Sequence, residues 1–348
     1  MSALTISVVV IGRNEGERLT RCLESVATMV HPGGGVEVIY VDSASTDGSP
    51  QRAAALGARV LEVRPPRPCA AVGRNAGWRA ASAPTVLFLD GDTRLAPDFV
   101  TGSLSEFNDP KVAVVWGHRR ELAPRASIFN RVLDLDWIYP PGVSEFCGGD
   151  ALIRRQVLEE IGGFDERLIA GEEPEMYQRI RARGYTILHV DRPMTGHDLA
   201  MSRWSQYWRR ALRAGYAYAE VSDRFAAAGI ELWQAEARRN RIHGTLMLAL
   251  VAIGLAGSLL ARSLVPIALA AAIVVLLALR TAHRVRWKSP DFSTRLLYGL
   301  HSHLQQITIL FGQIRYRRDR RAGRIGSLIE YKSARPAGGE PLSRGDTA

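Results

Sequence analysis

The stretch Val86-Leu87-Phe88-Leu89-Asp90-Gly91-Asp92 decides the fold. Four apolar residues in a row after Thr85 have the length and composition of a strand buried on both faces. The strand opens into two carboxylates parted by a glycine, which lets the backbone turn tightly. Hard divalent cations take oxygen ligands and readily bridge carboxylate to phosphate, so paired acids at a strand end suit a metal–phosphate site. Taken alone, Asp-Gly-Asp also suits a plain turn with solvated acids. Its place directly after a buried strand, in step with polar clusters at other strand ends, strengthens the metal reading.

Working outward, further apolar, β-branched-rich runs fall at 5–11, 36–41, 58–63, 85–89 and 112–116. Amphipathic stretches separate them; in 15–29, for instance, Leu19, Leu23 and Val26, with Val30 just beyond, fall on one face. Continuous apolar strands joined by crossover helices imply an α/β fold with a mainly parallel sheet covered on both faces. Such sheets carry their functional loops at the carboxyl ends of the strands. Asn14-Glu15, Asp42-Ser43-Ala44-Ser45 and Asp90-Gly91-Asp92 all fall there. Beyond residue 118 the rhythm breaks. Pro140-Pro141-Gly142 and Gly148-Gly149 mark turns, 155–160 and 172–183 read as helices, and 185–190 as a strand.

Charge divides the 348 residues into two parts. Residues 1–202 hold 22 basic against 26 acidic side chains, whereas 203–348 hold 23 against 9. A basic half can serve nucleic acid or an anionic membrane surface. The apolar runs favour the membrane, and no nucleic-acid partner is expected. Residues 201–225 repeat aromatics at helical spacing (Trp204, Tyr207, Trp208, Tyr216) beside Arg203, Arg209, Arg210 and Arg213. That pattern suits a helix in a membrane interface, and equally a core helix with a solvated basic face. Two uncharged runs, 244–261 and 264–279, are parted only by Arg262-Ser263 and approach the roughly 17–25 residues of a spanning helix. Arginines flank the pair, which predicts a transmembrane hairpin with both ends cytoplasmic; a soluble helical hairpin is the alternative. Residues 292–314 read as an amphipathic helix running into the basic cluster 315–324, and a polar tail begins at Ser333. The expected segments are therefore 1–200, interfacial helices 201–242, hairpin 243–281, basic helix 282–332 and tail 333–348.

Cys22, Cys69 and Cys147 are odd in number and lack metal-ligand spacing, so they read as reduced thiols in a cytosolic compartment. The N-terminal run lacks a basic flank and a small-residue cleavage site, which argues for a first strand over a signal peptide. Gly12-Arg-Asn-Glu-Gly16 is not the dinucleotide glycine fingerprint, which excludes a dehydrogenase of that type.

Four segments resemble the family 2 glycosyltransferases of GT-A (Rossmann-like) fold. They are Ser7-Val-Val-Val-Ile-Gly-Arg-Asn14-Glu15; Tyr40-Val-Asp42-Ser-Ala-Ser45-Thr-Asp47-Gly48; Gly73-Arg74-Asn75-Ala-Gly77 with Leu89-Asp90-Gly91-Asp92; and Gly162-Gly-Phe-Asp165 through Gly171-Glu172-Glu173-Pro-Glu175 to Arg179 and Gly184-Tyr185. They lie in the family's order and spacing over roughly residues 5–200. The resemblance implies that Asn14, Glu15, Asp42, Arg74, Asp90 and Gly91 bind a nucleotide-diphosphate sugar, a UDP-sugar being favoured. Asp42 would read the base, although its Ser/Thr/Asp-rich surroundings suit a cap or turn just as well. Asp92, aided by His197, would hold a divalent metal, Mn or Mg; a lone histidine is otherwise a packing or capping residue. Glu173 stands where the family places the carboxylate that takes the acceptor's proton, one methylene longer than usual, and Glu172 is its rival. Acids in a first helical turn are also favoured by the helix dipole alone. Gln206-Tyr-Trp-Arg209-Arg210 looks like a degraded Gln-x-x-Arg-Trp motif of processive synthases, with Gln206, Arg209 and Asp150 as weaker candidates for acceptor or diphosphate contacts.

The expectation is an inverting transfer to a hydroxyl of a lipid-linked or amphiphilic acceptor by an inner-membrane protein whose catalytic domain faces the cytoplasm. Rivals are a nucleotidyltransferase, a non-catalytic nucleotide-sugar-binding membrane subunit and a polyprenyl-phosphate sugar transferase. A nucleotidyltransferase would be expected to carry a glycine- and basic-rich loop after the first strand, where Asn14-Glu15 stands.

Overall fold

The computed structural model describes residues 4–324. Strands β1 (Leu4–Gly12), β2 (Gly35–Asp42), β3 (Arg59–Glu62) and β4 (Thr85–Asp90) are parallel in the order β3-β2-β1-β4. Helices α1 (Glu17–Ala27), α2 (Ser49–Ala55) and α3 (Ala70–Ala80) cross between them. Val8, Val9 and Val10 are all fully buried, so both faces of β1 are covered. That explains why its sequence runs apolar without alternation. Register pairs Gly12 with Asp42 and Ile11 with Asp90, which aligns the three polar strand ends along one edge.

The second half of the sheet is mixed, not parallel throughout. After β5 (Thr93–Leu95) and α4 (Phe99–Ser103) come β6 (Val112–Glu121), α5 (Ile128–Asp134), β7 (Gly142–Ser144) and β8 (Ala151–Arg154). Helices α6 (Arg155–Ile161) and α7 (Glu172–Ala182) precede β9 (Thr186–His197). Strand β8 lies antiparallel between β4 and β6, whereas β9 runs parallel to β6 and takes β5 and β7 antiparallel. The expected strand 185–190 thus continues to His197, because β6 and β5 supply hydrogen-bond partners beyond Val190. On α1, Leu19, Leu23 and Val26 are buried as expected, but Val30 lies past the helix end and is half exposed.

Four long helices follow: α8 (Trp204–Ala227), α9 (Gln234–Ala261), α10 (Val265–Arg284) and α11 (Phe292–Arg321). The basic stretch before the first apolar run and most of the cluster after residue 314 are helical, so α9 and α11 are longer than the runs that announced them. The tail from Ser333 and residues 325–332 lie outside the described residues. Helices α9 and α10 are long and apolar enough to cross a membrane, with only 17% of each apolar window buried. Helix α11 packs against α8, α9 and α10 and also reaches α5. Glycines set that packing: a Cβ on Gly215 would overlap the Ile309 carbonyl, one on Gly312 the Leu212 carbonyl, one on Gly244 the Gln306 carbonyl and one on Gly299 the Ala278 carbonyl. The sheet-bearing part is tied to these helices by Arg131, whose guanidinium donates to Thr294 and Ser293 and pairs with Asp291 at the α11 N-terminus.

Candidate active site

The Asp-Gly-Asp turn is built from its neighbours. The Gly91 N–H donates to Ile11 O (2.8 Å), and a Cβ there would press on that carbonyl and on Glu15 Cγ, so the residue must be small. Asp150, which is buried, accepts the Asp90 N–H (2.9 Å) and the Thr195 hydroxyl (2.9 Å) and pairs with Arg119 (3.3 Å). Burial holds the Asp150 carboxyl above the usual carboxylate range against the pull of Arg119, while Asp90 pushes it further up. Asp150 therefore lies behind the turn, supporting its backbone.

Asp90, Asp92 and His197 each bring one ligand atom within 4.8 Å of the others. His197 Nε2 stands 3.5 Å from Asp92 Oδ1, and its ring packs on Trp137 at 4.9 Å. Pairing of His197 with Thr93 on β5 and with Glu121 on β6 fixes its position. Two carboxylates and one imidazole form a donor set that fits a divalent cation such as Mn²⁺, so the residues present suit the group the fold implies.

Arg74 joins this turn to the start of α7. Its side chain is 3% exposed. Nη2 donates to Asp90 Oδ1 (3.0 Å), and Nη1 donates to Glu172 Oε1 (2.9 Å) and lies 3.3 Å from Glu173 Oε1. Charge among so many acids holds the guanidinium firmly protonated in spite of its burial. Glu172 and Glu173 both line the cleft, the Glu172 side chain 4% exposed and that of Glu173 23%. Burial first, then the Glu172 charge, raise the Glu173 carboxyl, with Arg74 opposing.

Asn14 and Glu15 line the cleft beside this cluster. Asn14 has φ 55, held by bonds from its N–H to Ser45 Oγ (2.9 Å) and from the Thr46 N–H to its Oδ1 (2.8 Å). Glu15 pairs with Arg18 (2.8 Å). Asp42 is 1% exposed; its oxygens accept the Tyr40 hydroxyl and the Ser45 N–H, each at 2.8 Å, while neighbouring Ser43 faces the cleft. Gln206 accepts the Ser202 and Arg203 N–H groups and caps α8. Arg209 is exposed, and it is Arg210 that lines the cleft.

The cleft, about 970 Å³, has a second wall that sequence reasoning missed. Asp136, Trp137 and Tyr139 contribute from the segment after α5, Tyr207, Arg210, Arg213, Asn240 and Tyr298 from the later helices, and Lys288 from the turn between α10 and α11. Asp136 lies 3.5 Å from His301, whose other ring nitrogen meets the Tyr207 hydroxyl at 2.6 Å. Helical spacing could have found part of this wall, since Tyr207, Arg210, Ala211 and Ala214 share one face of α8, with Arg209 off it.

Two family descriptions match the chain. "Glycosyl transferase family 2" covers residues 7–162, and "Glycosyl transferase family group 2" covers residues 85–282, more than half of the sequence. The chain belongs to the family 2 glycosyltransferases. Among curated relatives, Glycosyltransferase AglE of Haloferax volcanii is 24% identical over 52% of this chain and 63% of its own length. Beta-monoglucosyldiacylglycerol synthase of Nostoc sp. is 24% identical over 48% of this chain and 39% of its own. The matches thus span less than two thirds of these relatives. Among solved structures, Mannosyltransferase PcManGT from Pyrobaculum calidifontis, in complex with GDP-Man and Mn²⁺, superposes with a TM-score of 0.61. It is 22% identical over 90% of this chain and 87% of its own, a likeness of fold. The GT-A architecture expected of a family 2 glycosyltransferase is therefore present in full, with the mixed half of the sheet as its second part.

Proposed function

We propose that this glycosyltransferase carries out a metal-assisted, inverting transfer from a nucleotide-diphosphate sugar to a lipid-borne acceptor at a membrane surface. One observation carries the reading. A single cleft is lined on one side by Asp90, Asp92 and Glu173, and on the other by Asn240, in α9 one turn before its apolar run, and Lys288, just past the end of α10. A donor seated at the strand ends would thus face an acceptor arriving from the membrane side. The relative named for diacylglycerol glucosylation is consistent with a lipid acceptor.

Inversion in one displacement needs a base for the acceptor's proton and a means of neutralising the leaving diphosphate. Glu173 supports the first role. It is more exposed than its neighbour Glu172, and its raised carboxyl is poised near neutrality. Glu172, buried against Arg74, serves to fix that arginine and, through it, Asp90. Asp90, Asp92 and His197 would hold a divalent cation, which when bound supplies positive charge to the diphosphate. Arg74 cannot substitute for it, because three carboxylates already engage its guanidinium.

The test is to incubate the full chain in phosphatidylcholine vesicles with radiolabelled UDP-, GDP- and dTDP-sugars, lipid extract and Mn²⁺ or Mg²⁺. The expected product partitions into organic solvent, requires metal, and has the anomeric configuration opposite to the donor's in its proton coupling. Product found only in the aqueous phase would overturn the lipid acceptor, and retained configuration would overturn the single displacement.

A further inference from the structure

We infer that the helix-built wall of the cleft is a binding site for the phosphate of a membrane-embedded lipid acceptor, centred on Lys288, Arg210 and Arg213. The inference rests on the membrane placement proposed above and adds the chemistry of the group recognised.

Charge is the first observation. Of the cleft-lining residues that follow residue 200, the charged ones are Arg210, Arg213 and Lys288, all cations. Asn240 and Gln306 add neutral amide donors on the same wall. Asp136, from the segment after α5, is the acid that shares this wall and faces Arg210 and Lys288, and the three cations outnumber it. A donor diphosphate would be engaged through a divalent cation held by Asp90, Asp92 and His197, so the second set of cations suits a second anion.

The setting of Lys288 is the second observation. Its ammonium lies 5.4–5.6 Å from the ring centres of Tyr139, Trp287 and Tyr298 and donates to Leu135 O (2.8 Å). An ammonium has three donors, and Leu135 takes one. The rings and the chain around it strip water from the charge, which lowers its pKa, while Asp136 opposes the shift. A cation desolvated in this way gains more from a phosphate oxygen than one in open water does.

The third observation is depth. Asn240 precedes the apolar run at Gly244 by one helical turn, about 6 Å along the axis. Lys288 follows the end of α10 at Arg284 by four residues. Both feet of the hairpin therefore return to the same cleft, at the level where a lipid's phosphate would lie if the hairpin spans the bilayer.

The experiment uses the full chain in phosphatidylcholine nanodiscs, titrated with a polyprenyl phosphate, with the polyprenol of equal length and with inorganic phosphate. Binding is followed by tryptophan emission and by the ³¹P line of the phosphomonoester. The expected result is at least about tenfold tighter binding of the phosphate lipid than of the polyprenol. Lys288→Met should remove most of that preference, Lys288→Arg should keep it, and Arg213→Gln should reduce it. Affinity for a nucleoside diphosphate with Mn²⁺ should stay as in the wild type, which also reports that each variant is folded. Equal binding of polyprenol and polyprenyl phosphate overturns the site. So does a loss of nucleoside-diphosphate affinity in Lys288→Met and Arg213→Gln that still melt as the wild type does, which would assign these cations to the donor. Release of the chain from membranes by carbonate would instead sink the membrane reading on which the inference stands.

Discussion

Replacing Arg74 by methionine isolates the largest electrostatic commitment in the site. Its guanidinium lies 3.0, 2.9 and 3.3 Å from Asp90, Glu172 and Glu173. At an effective dielectric constant of about 20, each contact contributes roughly 5–6 kcal/mol of gross attraction. Dehydration of the ions and repulsion among the acids offset most of the sum, and breaking buried pairs of this kind costs about 3–5 kcal/mol. For a domain of this size that corresponds to a fall in Tm of roughly 6–20 °C at pH 8. The sign of the pH dependence follows from the acids left behind. Without Arg74 the Glu173 carboxyl, already raised by burial and by the Glu172 charge, loses the opposing pull of the guanidinium and rises further, so the folded state binds its proton still more tightly than the unfolded one does. The penalty is absent below the unfolded pKa of about 4.3, grows as pH rises and is complete above the raised folded value. The Tm deficit against wild type should therefore be greatest at pH 8 and shrink steadily toward pH 5, as read by differential scanning fluorimetry. A variant melting within 2 °C or so of wild type at pH 8, or a deficit that widens on acidification, would refute the reasoning.

Glu173→Gln should slow transfer by roughly a hundredfold or more while nucleotide affinity changes little, and Glu172→Gln should instead lower Tm; steady-state kinetics and melting curves separate the two. In the wild type kcat should rise with pH through about 7 and then level, following the raised Glu173 carboxyl, whereas Asp or Glu in open solvent would place that limb near 4. Asp92→Ala should abolish the extra thermal stabilisation that Mn²⁺ gives to nucleotide binding, with unliganded Tm nearly unchanged. Gly312→Leu should part α8 from α11, so the detergent-solubilised protein should melt at a lower temperature and less cooperatively than wild type, as read by differential scanning fluorimetry.

The parallel half of the fold was legible because strands buried on both faces cannot alternate, and their polar ends announce themselves. The Asp-Gly-Asp turn was legible for the same reason, whereas Glu172 and Glu173 at the start of α7 stood out only through the family resemblance. The antiparallel half was not. Strands β5 and β7 are three residues each, too short for any period, and β8 has four. Asp191-Arg192-Pro193 reads as a stop, yet β9 passes through it, since register shifts in its pairing with β6 around His118 absorb the proline. The far wall of the cleft was hidden for a different reason. Lys288 meets Leu135 across 153 residues, and Tyr207 meets His301 across 94, so only tertiary packing brings them together.

The glycines along α11 have a consequence for how this region can drift in sequence. Where helices touch main chain to main chain, their spacing is set by backbone radius and cannot be retuned by trading one side chain for another. Gly215, Gly244, Gly299 and Gly312 each abut a carbonyl of the neighbouring helix, so even an alanine would wedge two helices apart. Leu259, Leu260 and Leu264, at 79–88% exposure, touch little and are free to interchange with other apolar residues. Substitutions accumulated in this part of the protein should therefore be lopsided, abundant on the outward faces of α9 and α10 and nearly barred at four positions that carry no side chain at all.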